Sequence, residues 1–217
     1  MSQEIIPAAQ IAGAIIQHSD EEFDMVKMAG VSYLPTLRLC GGNSAAVKAE
    51  KIPIAHYGIF SGDDVVDAGK EVDSLVLAWQ PKAVRISDDG VDSFTNPNHP
   101  EFKKIVAESA EKDSGCMFGP EFLLWLYDEK KFVAYLMGSK TARKVCPDMK
   151  QLVGRAATLK AKLIETAKYS WHGPVIVPCS SPPSVIPSDD EITAAATKFQ
   201  QQPDSDTETV DKEERAR

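Results

Sequence analysis

The chain has 217 residues, of which 43% are hydrophobic and 26% charged, with a formal net charge of −8. These values place it in the ordinary globular range rather than in the disordered or membrane classes. No apolar run approaches the roughly 18 residues of a membrane span, and the first residues lack a basic signal-type segment, so the expectation is a soluble protein of the cytoplasm with no membrane partner.

Residues 5–17 are apolar and Ala-rich but interrupted by Pro7 and Gly13, and read as a weak helix or a loosely docked arm. Ser19-Asp20-Glu21-Glu22 is a capping-box pattern, which predicts a short helix over 20–29 ending at Gly30. Residues 31–40 read as a strand running into the turn Gly41-Gly42-Asn43, with one or two helical turns over 44–51. β-Branched and aromatic residues between Gly, Asp and Pro punctuation make 52–60 and 72–86 strand candidates. Residues 87–114 are polar, with a charged helical stretch over 100–112, and read as an excursion from the core.

The clearest hairpin is 121–127 and 132–137 across the polar turn Asp128-Glu129-Lys130-Lys131. With Tyr127 opposite Phe132, one face holds Leu123, Trp125, Tyr127, Phe132, Ala134 and Leu136, and the other Phe122, Leu124, Leu126, Val133, Tyr135 and Met137. Both faces are apolar, so the ribbon is either buried on both sides or offers one face to a ligand. Residues 139–153 read as a helix with Val145, Met149 and Leu152 along one side. Residues 154–165 fit either period; Gly154 breaks the helical register and favours a strand, paired back onto 169–179, where Pro174 and Pro178 mark an edge. A Ser/Pro linker follows residue 180, then a short helix over 189–199 capped by Ser188, and from Gln200 onward a tail expected to be disordered. The expected division is an N-terminal arm or helix over 1–30, a binding domain over 31–180, and a linker with an acidic, largely disordered tail over 181–217.

Catalytic chemistry finds little support. The four cysteines, Cys40, Cys116, Cys146 and Cys179, lie too far apart for a zinc or redox motif and read as small buried thiols. The four histidines show no metal spacing, and no nucleophile-elbow, phosphate-loop or dinucleotide fingerprint occurs. Gly41-Gly42-Asn43-Ser44 is only a weak phosphate turn, and Cys116 with His172 is a conceivable but disfavoured nucleophile pair. The expectation is a protein that is not an enzyme and carries no cofactor and no metal.

Charge is more informative by position than in sum. Residues 139–171 hold eight cations, Lys140, Arg143, Lys144, Lys150, Arg155, Lys160, Lys162 and Lys168, against Asp148 and Glu165, whereas 189–214 hold nine acids against Lys198 and Lys212. Aromatics interleave with cations: Arg38, Lys82 and Arg85 flank the strands carrying Tyr33 and Trp79, and Lys160, Lys162 and Lys168 precede Tyr169 and Trp171. A basic track beside aromatic faces is the texture of a single-strand nucleic-acid binder. The candidate contacts are therefore Arg38, Trp79, Lys82, Arg85, Lys140, Arg143, Lys144, Arg155, Lys160, Lys162, Lys168, Tyr169 and Trp171, with Trp125 expected in the core.

The element order, strand, strand, hairpin, helix, strand pair, matches the connectivity of an OB-fold. In the stretches Lys70-Glu-Val-Asp-Ser-Leu-Val-Leu-Ala-Trp-Gln-Pro-Lys82, Gly119-Pro-Glu-Phe-Leu-Leu-Trp125, Thr158-Leu-Lys-Ala-Lys-Leu-Ile-Glu165 and Tyr169-Ser-Trp-His-Gly-Pro174 the chain resembles the phage-encoded single-stranded DNA-binding proteins of the OB-fold type. The resemblance spans 31–179 and is one of layout and texture. It implies a mainly β protein with a few helices: an OB-fold-like small antiparallel barrel, an extended polar insertion and a disordered C-terminal tail. It further implies single-stranded DNA as partner in DNA replication or recombination, an acidic tail that recruits replication or recombination proteins or competes for the groove, and room for a homo-oligomer. The chain departs at its end, where Arg215 and Arg217 follow the acids and no hydrophobic tip occurs. A phage structural or scaffolding-type protein is the alternative.

Overall fold

The computed structural model describes residues 34–62, 64–87, 90–111, 114–179 and 185–200. The expected arm and first helix, Tyr33, and the tail beyond Gln200 lie outside them. The elements are β1 (Thr36–Leu39), α1 (Ala45–Lys48), β2 (Tyr57–Ser61), β3 (Asp64–Gly69), β4 (Glu71–Ser87), β5 (Gly90–Phe94), α2 (Pro100–Glu108), β6 (Cys116–Leu126), β7 (Lys131–Leu136), α3 (Lys140–Gln151), β8 (Ala156–Glu165), β9 (Ser170–Pro178) and α4 (Asp189–Gln200). Mainly β, the protein forms one mixed, open sheet in the order β3-β2-β1-β7-β6-β4-β8-β9, with β5 added to β4. Every pairing is antiparallel except β1 with β7.

The organising element is β4, whose 17 residues are rich in Val, Leu, Ile and Trp. It pairs with β6 over most of its length, with β8 through Glu71–Leu75, and with β5 through Ala83–Ser87. A bulge at Val76/Ala78 separates these two halves. Its backbone is satisfied by the loop after α3: Gly154 N–H donates to the Val76 carbonyl, and Val76 N–H donates to the Arg155 carbonyl.

The β6–β7 ribbon is buried on both faces, the first of the two arrangements that its alternation allows. Phe122, Leu124, Leu126, Val133, Tyr135 and Met137 join the main core, closed at its base by Ala142, Cys146, Met149 and Leu152 of the α3 segment. Leu123, Trp125 and Ala134 face the other way, under Ile192, Ala195, Ala196 and Phe199 of α4. The register is shifted from expectation: Trp125, not Tyr127, lies opposite Phe132, because the turn is built from residues 127–130 with Lys130 at φ 50°. A slip of two residues leaves each side chain on its predicted face, which is why the burial pattern survives the error.

Two strands escape the sequence reading. β3 follows directly on β2 with too few residues between turns to stand out, and β5 lies inside the polar segment taken as an excursion. That segment forms a small lobe with its own core of Ala83, Phe94, Phe102 and Ile105, and its helix ends at Glu108 rather than 112. The expected boundary at 180 also moves. The cap expected at Ser188 forms, as a reciprocal box in which Ser188 N–H donates to Glu191 Oε2 at 2.8 Å, and the helix it starts docks on the sheet, so the folded body reaches Gln200. All four cysteines are free thiols, with Cys40 and Cys146 buried and the others half-buried. Among the described residues no helix is long and apolar enough to cross a membrane, and no cluster of ligating side chains could hold a metal ion.

Candidate nucleic-acid interface

The basic segment folds into α3 and the β8–β9 hairpin. Ser139 caps α3, its Oγ accepting from Ala142 N–H at 3.1 Å. With Ala142, Cys146 and Met149 turned inward, the 100° step of the helix puts Thr141 on one flank, Arg143 and Lys150 on the other, and Lys140 and Lys144 on the exposed crest.

On the Thr141 flank lies the hairpin. Its antiparallel register sets Lys160 opposite Val175, Lys162 opposite Gly173 and Ile164 opposite Trp171, so both lysines and the indole share one face. This resolves the ambiguity of 154–165 in favour of the strand. Trp171 is 39% exposed and donates from Nε1 to Thr141 Oγ1 at 3.1 Å. Gly173 permits that approach, since a Cβ there would stand 2.6 Å from Thr141 Cγ2 and 2.7 Å from Ile164 Cδ1. The turn is tied internally, Thr166 Oγ1 donating to the Tyr169 carbonyl and accepting from Tyr169 N–H, and it holds Lys168 and Tyr169 outward, the latter 73% exposed. Lys160 Nζ meets Glu71 Oε2 at 2.8 Å across an exposed strand pair, a contact of the kind that contributes little in water. Arg155 is exposed in the loop between α3 and β8.

On the other flank Lys150 Nζ sits 3.4 Å from the ring centroid of Trp79, which is 43% exposed. Arg143 lies 4.3 Å over Phe118 and donates to the carbonyls of Phe118 and Gly138, so its guanidinium is committed to joining α3 to β6. Lys82 and Arg85 are likewise engaged inside the fold. Lys82 is buried with Nζ 2.8 Å from Glu121 Oε1, and Arg85 binds Glu101 at 3.2 Å and Glu108 at 2.8 Å, fastening α2 to β4. The Arg85 hydrogen bond holds the Glu108 carboxyl below its usual range. Cys116 donates its thiol to the same Glu108, not to His172. Arg38 is exposed on β1, 4.9 Å over the Phe60 ring. The Gly41–Ser44 turn leads only into a four-residue helix, with no side-chain cap from Ser44.

Of the thirteen predicted contacts, then, Lys140, Lys144, Lys160, Lys162, Lys168, Tyr169 and Trp171 lie on α3 and the hairpin, Arg155 lies in the loop at the base of β8, Trp79 stands across α3 from the hairpin, and Arg38 lies apart on β1. The three that bind inside the fold are Lys82, Arg85 and Arg143. The carboxylate partners of Lys82 and Arg85 and the Phe118 carbonyl bound by Arg143 lie far off in sequence, so composition counted all three as surface cations. Sequence reasoning missed Lys150 and Thr141, which place the two half-exposed tryptophans; the only available signal was their position on opposite sides of a helical wheel. Comparison with protein-family models, with curated proteins and with solved structures finds no match.

Proposed function

We propose that the chain binds single-stranded nucleic acid, DNA first, without sequence preference, in replication or recombination. The observation that carries this reading is the hairpin turn, where Tyr169 and Trp171 present aromatic surface beside Lys160, Lys162 and Lys168. Exposed rings receive bases and the lysines neutralise phosphates. The path β4, β6, β7, α3, β8, β9 supports an OB-like reading: a long first strand shared between the second and fourth, and a helix between the third and fourth. On that count residues 166–169 form the loop between the fourth and fifth strands, one of the two loops through which OB-folds grip oligonucleotides. The departure is at closure, where β1 stands parallel beside β7 and also lies against β9.

Titration with labelled oligo-dT tests the reading. Trp171→Ala is expected to weaken binding by about 1–3 kcal/mol, the worth of one base stacked on one ring, while thermal stability changes little because the indole is half-exposed. A variant that unfolds, or that binds like the parent, makes Trp171 a packing residue.

Lys160→Glu with Lys162→Glu tests the phosphate track. Two lost contacts reduce the slope of log K against log salt by about 1.4, with equal weakening across sequences, since phosphates carry no sequence information. An unchanged slope removes β8 from the site. Association through protein surfaces, as in a scaffolding protein, gives no such salt law.

A further inference from the structure

We infer that Trp79 is a second base-stacking platform, on the flank of α3 opposite Trp171, and that Lys150 covers its ring in the free protein and moves to a phosphate when a base takes its place. The inference rests on the nucleic-acid reading and extends its site across α3.

The first observation is where the indole points. Regular alternation along β4 would set Val76 inward, Leu77 outward, Ala78 inward and Trp79 outward, beneath α4 with Leu75 and Leu77. The bulge changes this. Val76 pairs with Leu124, then Ala78 with Leu123 and Trp79 with Phe122, so both Leu77 and Ala78 go to the outer face and Trp79 is turned to the α3 side. A bulge that re-aims a side chain is a feature found beside functional sites. Here it takes a large apolar ring from a covered face to one where 43% of it meets solvent.

The second is what lies on the ring. Lys150 Nζ at 3.4 Å from the centroid occupies the place of a stacked base and carries the charge that base's phosphate would need. An exposed cation–π contact is worth about a two- to fivefold factor, whereas a base on an aromatic face is worth about five- to 150-fold. The exchange therefore runs toward the base, and the displaced ammonium, on a flexible stem, gains a phosphate.

The third is the path between the platforms. Thr141, which holds Trp171, and Lys150, which covers Trp79, are nine residues apart on α3: two and a half turns, opposite flanks, and about 14 Å along the axis. A strand engaging both rings crosses the crest where Lys140 and Lys144 stand exposed. It must be about four nucleotides or longer, within the range of site sizes for one small binding fold.

The test uses the full chain with labelled oligo-dT, read by anisotropy and by tryptophan emission. In Trp171→Phe the accessible indole is Trp79, since Trp125 is buried; this variant is expected to keep measurable binding and to be quenched as oligonucleotide is added. Trp79→Ala should bind about five- to 150-fold more weakly and Trp79→Phe should recover most of the loss. Lys150→Met keeps the stem over the ring but should reduce the salt slope by about 0.7, one single-strand phosphate contact. A Trp171→Phe protein that binds without quenching, or that loses all binding where the parent binds, overturns the second platform, as does Trp79→Ala binding like the parent; in each the nucleic-acid reading stands. A parent that fails to bind at low salt overturns both.

Discussion

Trp125→Ala is expected to lower the stability of the folded chain by about 3–5 kcal/mol, measured by denaturant titration, with no effect on binding per folded molecule. Trp125 is 7% exposed and its ring centroid lies 4.7 Å from that of Phe132 on the face that α4 covers. Truncation leaves a cavity between two elements that cannot collapse on each other: β6–β7 is pinned by the main core behind it, and α4 by Ile192 and Phe199. One term opposes this. The buried Nε1 of Trp125 makes no hydrogen bond within the described chain, nor does the buried Tyr127 hydroxyl. An orphaned donor costs about 1–3 kcal/mol, and its removal offsets part of the lost packing. Trp125→Phe, which keeps most of the ring volume and deletes the donor, should therefore cost less than half as much as alanine. A loss below about 1 kcal/mol for alanine would mean that α4 does not hold this face closed.

Glu121→Leu should cost a similar 3–5 kcal/mol, for an electrostatic reason. Glu121 is 2% exposed; its Oε1 accepts from Lys82 Nζ at 2.8 Å and its Oε2 from Gln80 Nε2 at 3.1 Å. Gln80 Nε2 also donates to the Phe199 carbonyl at 3.0 Å, satisfying a carbonyl in the last turn of α4. Removing the carboxylate takes its ion-pair partner from the buried ammonium and loosens the amide that ties down the helix end. Adding Lys82→Met deletes the buried charge that has lost its carboxylate and should restore most of the loss, since a buried pair is worth little more than an apolar pair of the same shape. If the double variant were as unstable as the single one, packing rather than charge would be at fault. Because Lys82 points into this cluster, its replacement should not alter the salt slope of oligonucleotide binding.

Local patterns in the sequence were enough to determine several features. Alternation assigned each residue of the β6–β7 hairpin to its face, and the result withstood a two-residue register shift because side chains repeat every second position. Ser188 marked the start of α4, since caps act through the backbone of the first turn alone. Gly154 and Pro174 located a strand pair between a helix and an edge. The clustering of cations at 139–171 followed from composition.

Tertiary structure alone decided which of the predicted contact cations face solvent. Lys82 and Glu121 are 39 residues apart, and Arg85 and Glu108 are 23 apart. No local rule pairs residues at such distances, because the chain returns to itself only when β6 and α2 pack on β4. The bulge in β4 belongs to the same class. It is set by the pairing with β6 and by the Gly154–Arg155 loop that fills its backbone bonds, and it alone turns Trp79 from under α4 toward α3. Likewise, the cap at Ser188 foretold a helix over 189–199 but not its seat, which depends on an apolar sheet face formed by strands more than 50 residues upstream.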